Sequence, residues 1–166
     1  MKEKKQSYAS KRFLEKIVVN AGIGRLRTQA HFEDKILPEL EAELGVLTGQ
    51  KAASRKAKKS IAGFNIREGE VVGLQITLRK ARMDEFLKKL IAVVFPRVKD
   101  FRGIDPASID ERGNLNVGFK DQYVFPEVNV EKSKIPFGIQ VTCVPKVQNR
   151  EAAVDFYRSL GVPLKK

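Results

Sequence analysis

The stretch Phe64-Asn65-Ile66-Arg67-Glu68-Gly69-Glu70-Val71-Val72-Gly73-Leu74-Gln75-Ile76-Thr77-Leu78-Arg79 sets the fold class of this chain. It divides into two β-prone runs, Phe64 to Arg67 and Val71 to Arg79, separated by Glu68-Gly69-Glu70. That spacing predicts a hairpin with a short polar tip. Just beyond it the period changes. Met83, Phe86, Leu87, Leu90, Ile91 and Val94 recur at helical spacing, so a helix is expected from Met83 to Phe95, terminated by Pro96.

Working outward, Ile17-Val18-Val19-Asn20 reads as a short strand whose end is punctuated by Gly22 and Gly24. From about Ala30 to Leu47, Phe32, Ile36, Leu40 and Leu44 repeat every four residues with Leu37 beside them, one apolar stripe on a helix. Pro38 removes a backbone donor there, so the helix either kinks or begins late enough to hold Pro38 in its first turn, and Gly45 or Gly49 supplies the stop. Asp100 to Asn114 mixes Gly, Pro, Asp and Arg without periodicity and reads as a long structured loop. Leu115 to Phe119 and Phe137 to Val144 read as strands on either side of an irregular stretch around Pro126. A last helix spans Arg150 to Leu160, with Asn149 as its cap and Gly161 as its end. This order predicts an α+β fold: a mainly antiparallel sheet with helices packed on one face and the other face open, a common platform for RNA.

The 166 residues suit a single domain from 13 to 166, preceded by a basic tail, 1–12, expected to be mobile. No window approaches the uninterrupted apolar length of a membrane span, and no apolar segment follows the basic start as a secretory signal requires. No membrane partner is expected. Cys143 is the only cysteine, which excludes an internal disulfide, and its alternating strand context predicts a buried structural thiol in a reducing cytoplasm. The 32 Lys and Arg against 20 Asp and Glu give a formal charge of +12, the footprint of a polyanion binder.

That charge has a focus. Lys51, Arg55, Lys56, Lys58 and Lys59 place five cations within nine residues with no acid among them, directly before Ser60-Ile61-Ala62-Gly63-Phe64. A run of one sign abutting glycine and an aromatic favours phosphate binding over an ordinary solvated face. Phe64 itself reads as core by periodicity, with a base-stacking platform as the alternative. Gly22-Ile23-Gly24 is followed by Arg25, Leu26 and Arg27, so the third glycine of a dinucleotide fingerprint is missing. His31 is the only histidine, which excludes a two-histidine zinc motif and leaves a surface residue. Asp100, Asp105, Asp110 and Glu111 share their loop with Arg97, Lys99, Arg102 and Arg112, a mixture that favours salt bridges or a protein contact over acid–base or metal chemistry. No catalytic set, metal or cofactor is expected.

Four separated runs, in order and spacing, carry a resemblance. Glu15-Lys16-Ile17-Val18-Val19-Asn20, Lys58-Lys59-Ser60-Ile61-Ala62-Gly63-Phe64, Phe95-Pro96-Arg97-Val98-Lys99-Asp100-Phe101-Arg102-Gly103 and Phe125-Pro126-Glu127 resemble the bacterial ribosomal protein L5 family, over roughly Phe13 to the C-terminus. The resemblance implies a structural constituent of the large ribosomal subunit, in the central protuberance, that binds 5S rRNA with a helix of the large-subunit rRNA. It also implies contact with the peptidyl-site tRNA and a bridge to a small-subunit head protein, beside other 5S-associated ribosomal proteins. Carried over by motif, Lys16, Asn20, Gln50, Phe64 and Thr77 form the 5S-binding face, and Lys58, Lys59 and Arg79, with Arg55 and Ser60 of the basic run, contact rRNA. The tip from Arg67 through Glu68, Gly69 and Glu70 to Val71 approaches the tRNA, and the loop with Asp105, Asp110, Glu111 and Arg112 faces the small subunit. The chain departs from the family in its short lead-in before the first strand, in Lys80-Ala81 where Gly-Glu is usual, and in Glu111 at a usual glycine. The alternatives to this reading are an RNA chaperone acting off the ribosome and an RNA-processing factor.

Overall fold

A computed structural model describes residues 13–131, 133, 135–146 and 149–165. The basic tail, 1–12, lies outside the described residues. The centre of the molecule is strand β1 (Leu14–Gly22), which pairs antiparallel with β3 (Val71–Leu78) on one side and β5 (Ile139–Pro145) on the other. Strand β2 (Ala53–Lys56) adds to β3 and β4 (Leu115–Phe119) to β5, giving the order β2-β3-β1-β5-β4 with every pairing antiparallel. Alternation along each strand then sorts the side chains. Ile17, Val19, Ala21, Leu74, Ile76, Leu78, Ile139, Val141 and Cys143 are buried on one face. A register shift between Leu14 and Lys16 keeps Leu14 buried as well, where strict alternation would turn it to the other side.

The helices close the apolar face. Helix α1 (Leu37–Thr48) buries Leu40, Leu44 and Leu47; α2 (Lys80–Lys89) buries Met83, Phe86 and Leu87; α3 (Arg150–Ser159) buries Ala153 and Tyr157. These side chains join the strand residues in one core cluster. Each fully buried Leu, Ile or Phe contributes about 1.5–3 kcal/mol. The α+β architecture expected from the sequence is the one observed.

Local details follow from the residues. Pro38 sits in the first turn of α1, after a wide π turn over Phe32–Ile36, so the late start is the alternative the chain adopts. Gly49, at φ 68°, ends α1 with its N–H donating to the Gly45 carbonyl at 2.8 Å, whereas Gly45 lies inside the helix. At the last helix the Asn149 side chain accepts from the Ala152 N–H at 3.1 Å, and Gly161 at φ 86° turns the chain so that Val162 N–H reaches the Tyr157 carbonyl. Cys143 is buried, and burial pushes its thiol up to about 12.

Two expectations are corrected. Phe64 to Arg67 is not a strand: the partner of β3 is the earlier segment Ala53–Lys56, and residues 57–70 form an excursion between them. Pro96 does not terminate the second helix. The chain widens to a π turn over Leu90–Val94, where the Phe95 N–H bonds the Leu90 carbonyl, and one more helical turn, Phe95–Arg97, follows. The wider turn accommodates a residue that has no N–H and would crowd a regular α turn.

Candidate nucleic-acid interface

Opposite the core, the sheet presents a face with no helix over it among the described residues. Register puts Val18 level with Thr77 and Thr142, and Asn20 level with Gln75 and Gln140. Asn116 lies beside Thr142 and Gly118 beside Gln140. All of these positions are half-buried or exposed, although on β1, β3 and β5 their strand neighbours one residue away are buried. Apart from Val18 and Gly118 the face is therefore amides and hydroxyls, groups that both donate and accept and so match base edges and ribose hydroxyls. Lys16 stands on the same face next to Val144, and Arg55 on β2 donates from Nε to the Gln75 Oε1 at 2.7 Å.

Lys16, Asn20, Arg55 and Thr77 are thus brought together on one surface. Gln50 is at its edge, where it closes the corner between α1 and β3: its Nε2 donates to the Thr77 carbonyl at 3.2 Å and its Oε1 accepts from Arg82 at 3.3 Å. Arg79 is exposed just beyond β3. Gln75, Gln140, Thr142 and Asn116 belong to the face too and escape a search for charge and motif. Their signal is strand parity, the polar positions that alternate with buried ones.

The excursion 57–70 adjoins this face. Its base is closed by Ala57 N–H to the Glu70 carbonyl at 2.8 Å and Gly69 N–H to the Ala57 carbonyl at 3.0 Å. Farther out, Ile61 and Ile66 exchange backbone bonds at 2.8 and 3.1 Å, and the chain reverses through a 3-10 turn, Ala62–Phe64, and Asn65 at φ 52°. The outer end is consequently Ala62–Asn65, while Arg67-Glu68-Gly69-Glu70 is a turn at the base. Phe64 is 73% exposed, so core packing is ruled out for it. Its ring overlooks a cleft lined by Gly22, Gly24, Leu26 and Phe137. Lys58 and Lys59 are exposed, and no ion pair among the described residues involves them. The Ser60 hydroxyl accepts from the Glu68 N–H at 3.0 Å, which leaves its proton free to donate.

The other long loop is built differently. Asp105 caps the turn Pro106–Ser108 by accepting from the Ala107 N–H at 2.8 Å. Asp110 Oδ1 accepts from the backbone N–H groups of Arg112 and Asn114 at 2.9 and 2.8 Å, and its Oδ2 from the Asn114 side chain at 2.8 Å. Burial acts to raise the Asp110 carboxyl, but these bonds and the nearby Arg112 outweigh it and hold the group below its ordinary value. Glu111 and Arg112 are exposed. His31 is exposed as well, and no group of His, Cys, Asp and Glu side chains among the described residues is arranged to hold a metal.

Comparison with known proteins identifies the family. A family model described as ribosomal protein L5 matches residues 11–67, and a second model, for the C-terminus of the same ribosomal family, matches residues 71–164. The large ribosomal subunit protein uL5 of Fusobacterium nucleatum is 44% identical over 153 residues, 92% of this chain and 81% of the relative. Its namesakes from Chlorobaculum tepidum and Thermus aquaticus are 43% and 42% identical over 153 residues, again 92% of this chain and 81% and 82% of the relatives.

Proposed function

Because the chain belongs to the ribosomal protein L5 family, as a structural protein of the large ribosomal subunit and not an enzyme, we propose that its open sheet face and basic loop bind 5S rRNA together with a helix of large-subunit rRNA. The observation that carries this reading is the uncovered five-stranded face of amides and hydroxyls with Lys16 and Arg55 on it and Lys58 and Lys59 beside it. Phosphate contacts by Arg55, Lys58, Lys59 and Arg79 supply affinity and salt dependence. Asn20, Thr77, Phe64 and the hydroxyl of Ser60 read shape and unstacked bases, with Gln50 fixing the edge. Residues 13–166 act as one RNA-binding unit, to which the cations of 1–12 add charge.

The finer contacts belong to the same proposal. The turn from Arg67 to Val71, with the loop it supports, meets the peptidyl-site tRNA. The loop holding Asp105, Asp110, Glu111 and Arg112 faces a small-subunit head protein, with Glu111 and Arg112 offering the charges not already spent inside the loop. Other 5S-associated ribosomal proteins are the remaining neighbours, in the central protuberance of the cytoplasmic ribosome. No helix of the described residues is long and apolar enough to cross a membrane.

The test is a mobility shift at physiological salt with 5S rRNA and, in parallel, other structured RNA of similar length. A clear preference for 5S rRNA is the expected result; equal shifts for both would reduce the chain to a generic basic protein.

A further inference from the structure

The basic loop that meets RNA in this reading lacks the usual means of staying ordered. Its outward side chains have no core to rest on, since Phe64 is 73% and Ile61 48% exposed. What ties it down comes from elsewhere in the chain. Arg27 lies in the 3-10 turn Leu26–Thr28 that follows β1, and its side chain is only 14% exposed. One guanidinium nitrogen, Nη1, donates to the Glu70 carboxylate, and the other, Nη2, donates to the Asn65 carbonyl. The same Glu70 oxygen accepts from the Arg67 N–H at 2.7 Å. A single planar fork therefore gathers the residue after Phe64, the start of the base turn and the residue that leads into β3.

Glu70 is otherwise hard to explain. A carboxylate at the base of the basic loop, on a surface that meets phosphate, opposes binding by its charge alone. Its presence there makes sense if the order it imposes outweighs that repulsion. We propose that Arg27 and Glu70 are a positioning pair: together they hold the 57–70 loop, and with it Phe64 and the two lysines, in the shape that RNA meets. This rests on the RNA-binding reading, and it goes beyond it by assigning to Arg27 and Glu70 a role in ordering the loop that is separate from any contact Glu70 makes with RNA.

The sign of one substitution separates positioning from charge. Glu70→Gln removes a negative charge, so electrostatics alone predicts tighter RNA binding, whereas loss of the clamp predicts weaker binding. Arg27→Lys keeps the charge and removes the fork. We expect both variants to retain the thermal midpoint of the parent chain within a few degrees, to exchange the amide protons of Ile61, Asn65 and Ile66 about tenfold faster, and to bind 5S rRNA roughly three- to tenfold more weakly. The swapped pair, Arg27→Glu with Glu70→Arg, restores the opposite charges but neither the donor to the Asn65 carbonyl nor the acceptor of the Arg67 N–H, so it is expected to keep the fast exchange and weak binding of the single variants. Unchanged exchange in the single variants would overturn the proposal, as would tighter or unaltered RNA binding by Glu70→Gln. A parent chain with no preference for 5S rRNA would count against the functional reading alone, because the exchange measurement contains no RNA and still decides whether the pair orders the loop.

Discussion

The loops 57–70 and 98–114 are both long, charged and irregular, yet they use their polar groups in opposite ways. In 98–114 the carboxylates of Asp105 and Asp110 are occupied by the loop's own N–H groups. Arg150 donates across to the carbonyls of Ile109 and Pro106, and Ile104 and Ile109 plug into the core. In 57–70 the backbone is bonded to itself and to Arg27, while Lys58, Lys59 and Phe64 are exposed. Charge density does not distinguish a binding loop from a structural one. Whether the charged groups are already satisfied inside the molecule does.

The sharpest way to break this contrast is to disturb the structural loop and look for a folding defect. Gly113 has φ 79°, and a Cβ there would stand 2.8 Å from the Ala153 Cβ and 3.0 Å from the Asn149 carbonyl oxygen. Backbone strain and overpacking against α3 together put the cost of Gly113→Ala at about 2–5 kcal/mol, to be read from denaturant unfolding. A variant as stable as the parent would show that this loop is not anchored as described.

The mirror experiment removes cations from the other loop. Replacing Lys58 and Lys59 together by alanine is expected to leave stability within about 0.5 kcal/mol of the parent, because both are exposed. It should weaken 5S rRNA binding about tenfold and flatten its salt dependence by roughly 0.7–0.9 in log–log slope for each phosphate no longer neutralised. Glu111→Ala with Arg112→Ala should alter neither property. If this second pair weakens 5S binding as much as the first, the division of labour between the loops fails.

Phe64→Ala tests the aromatic separately. At 73% exposure its removal leaves the core intact, so the unfolding midpoint should stay where it is. Stacking of one base is worth ~1–3 kcal/mol, which predicts 5S affinity lower by about five- to 150-fold. An unchanged affinity would make the ring idle toward this RNA and leave the lysines as its only partners on the loop.

The same contrast explains what could be read from the chain. Strands with one buried face announce themselves, as Ile139-Gln140-Val141-Thr142-Cys143-Val144 does by alternation. Ala53-Ser54-Arg55-Lys56 does not, because all four residues of this edge strand are exposed and no apolar period remains to be seen. Phe64 and Ile66 imitate a strand's period without joining the sheet. Pro96 misleads because the π turn that admits it leaves no mark in composition. At the interface the cations are legible as a run and Asn20 and Gln50 through the resemblance, whereas Gln75, Gln140 and Asn116 are legible only through strand parity. The Arg27–Glu70 pair spans 43 residues and depends on the fold that brings the two together.

The smallest expected effect concerns Asp110 and carries a pH signature. Its carboxyl is held below the ordinary 3.8, so the charged form is favoured in the folded chain. A depressed folded value means that the stabilisation is fully present above about 3.8 and disappears as pH falls through the lower folded value. Asp110→Asn keeps one acceptor for the Arg112 and Asn114 N–H groups but sets an NH2 against the Asn114 side chain that Oδ2 now receives. The variant should melt roughly 1–3 °C below the parent at pH 7 and draw level with it once the parent's Asp110 is protonated. Its 5S affinity at neutral pH should match the parent's, since the charge it removes is engaged within its own loop. A gap in melting temperature that persists at acid pH would mean that shape and not charge is what Asp110 contributes. A gain in RNA affinity would mean that this loop lies within reach of the RNA after all.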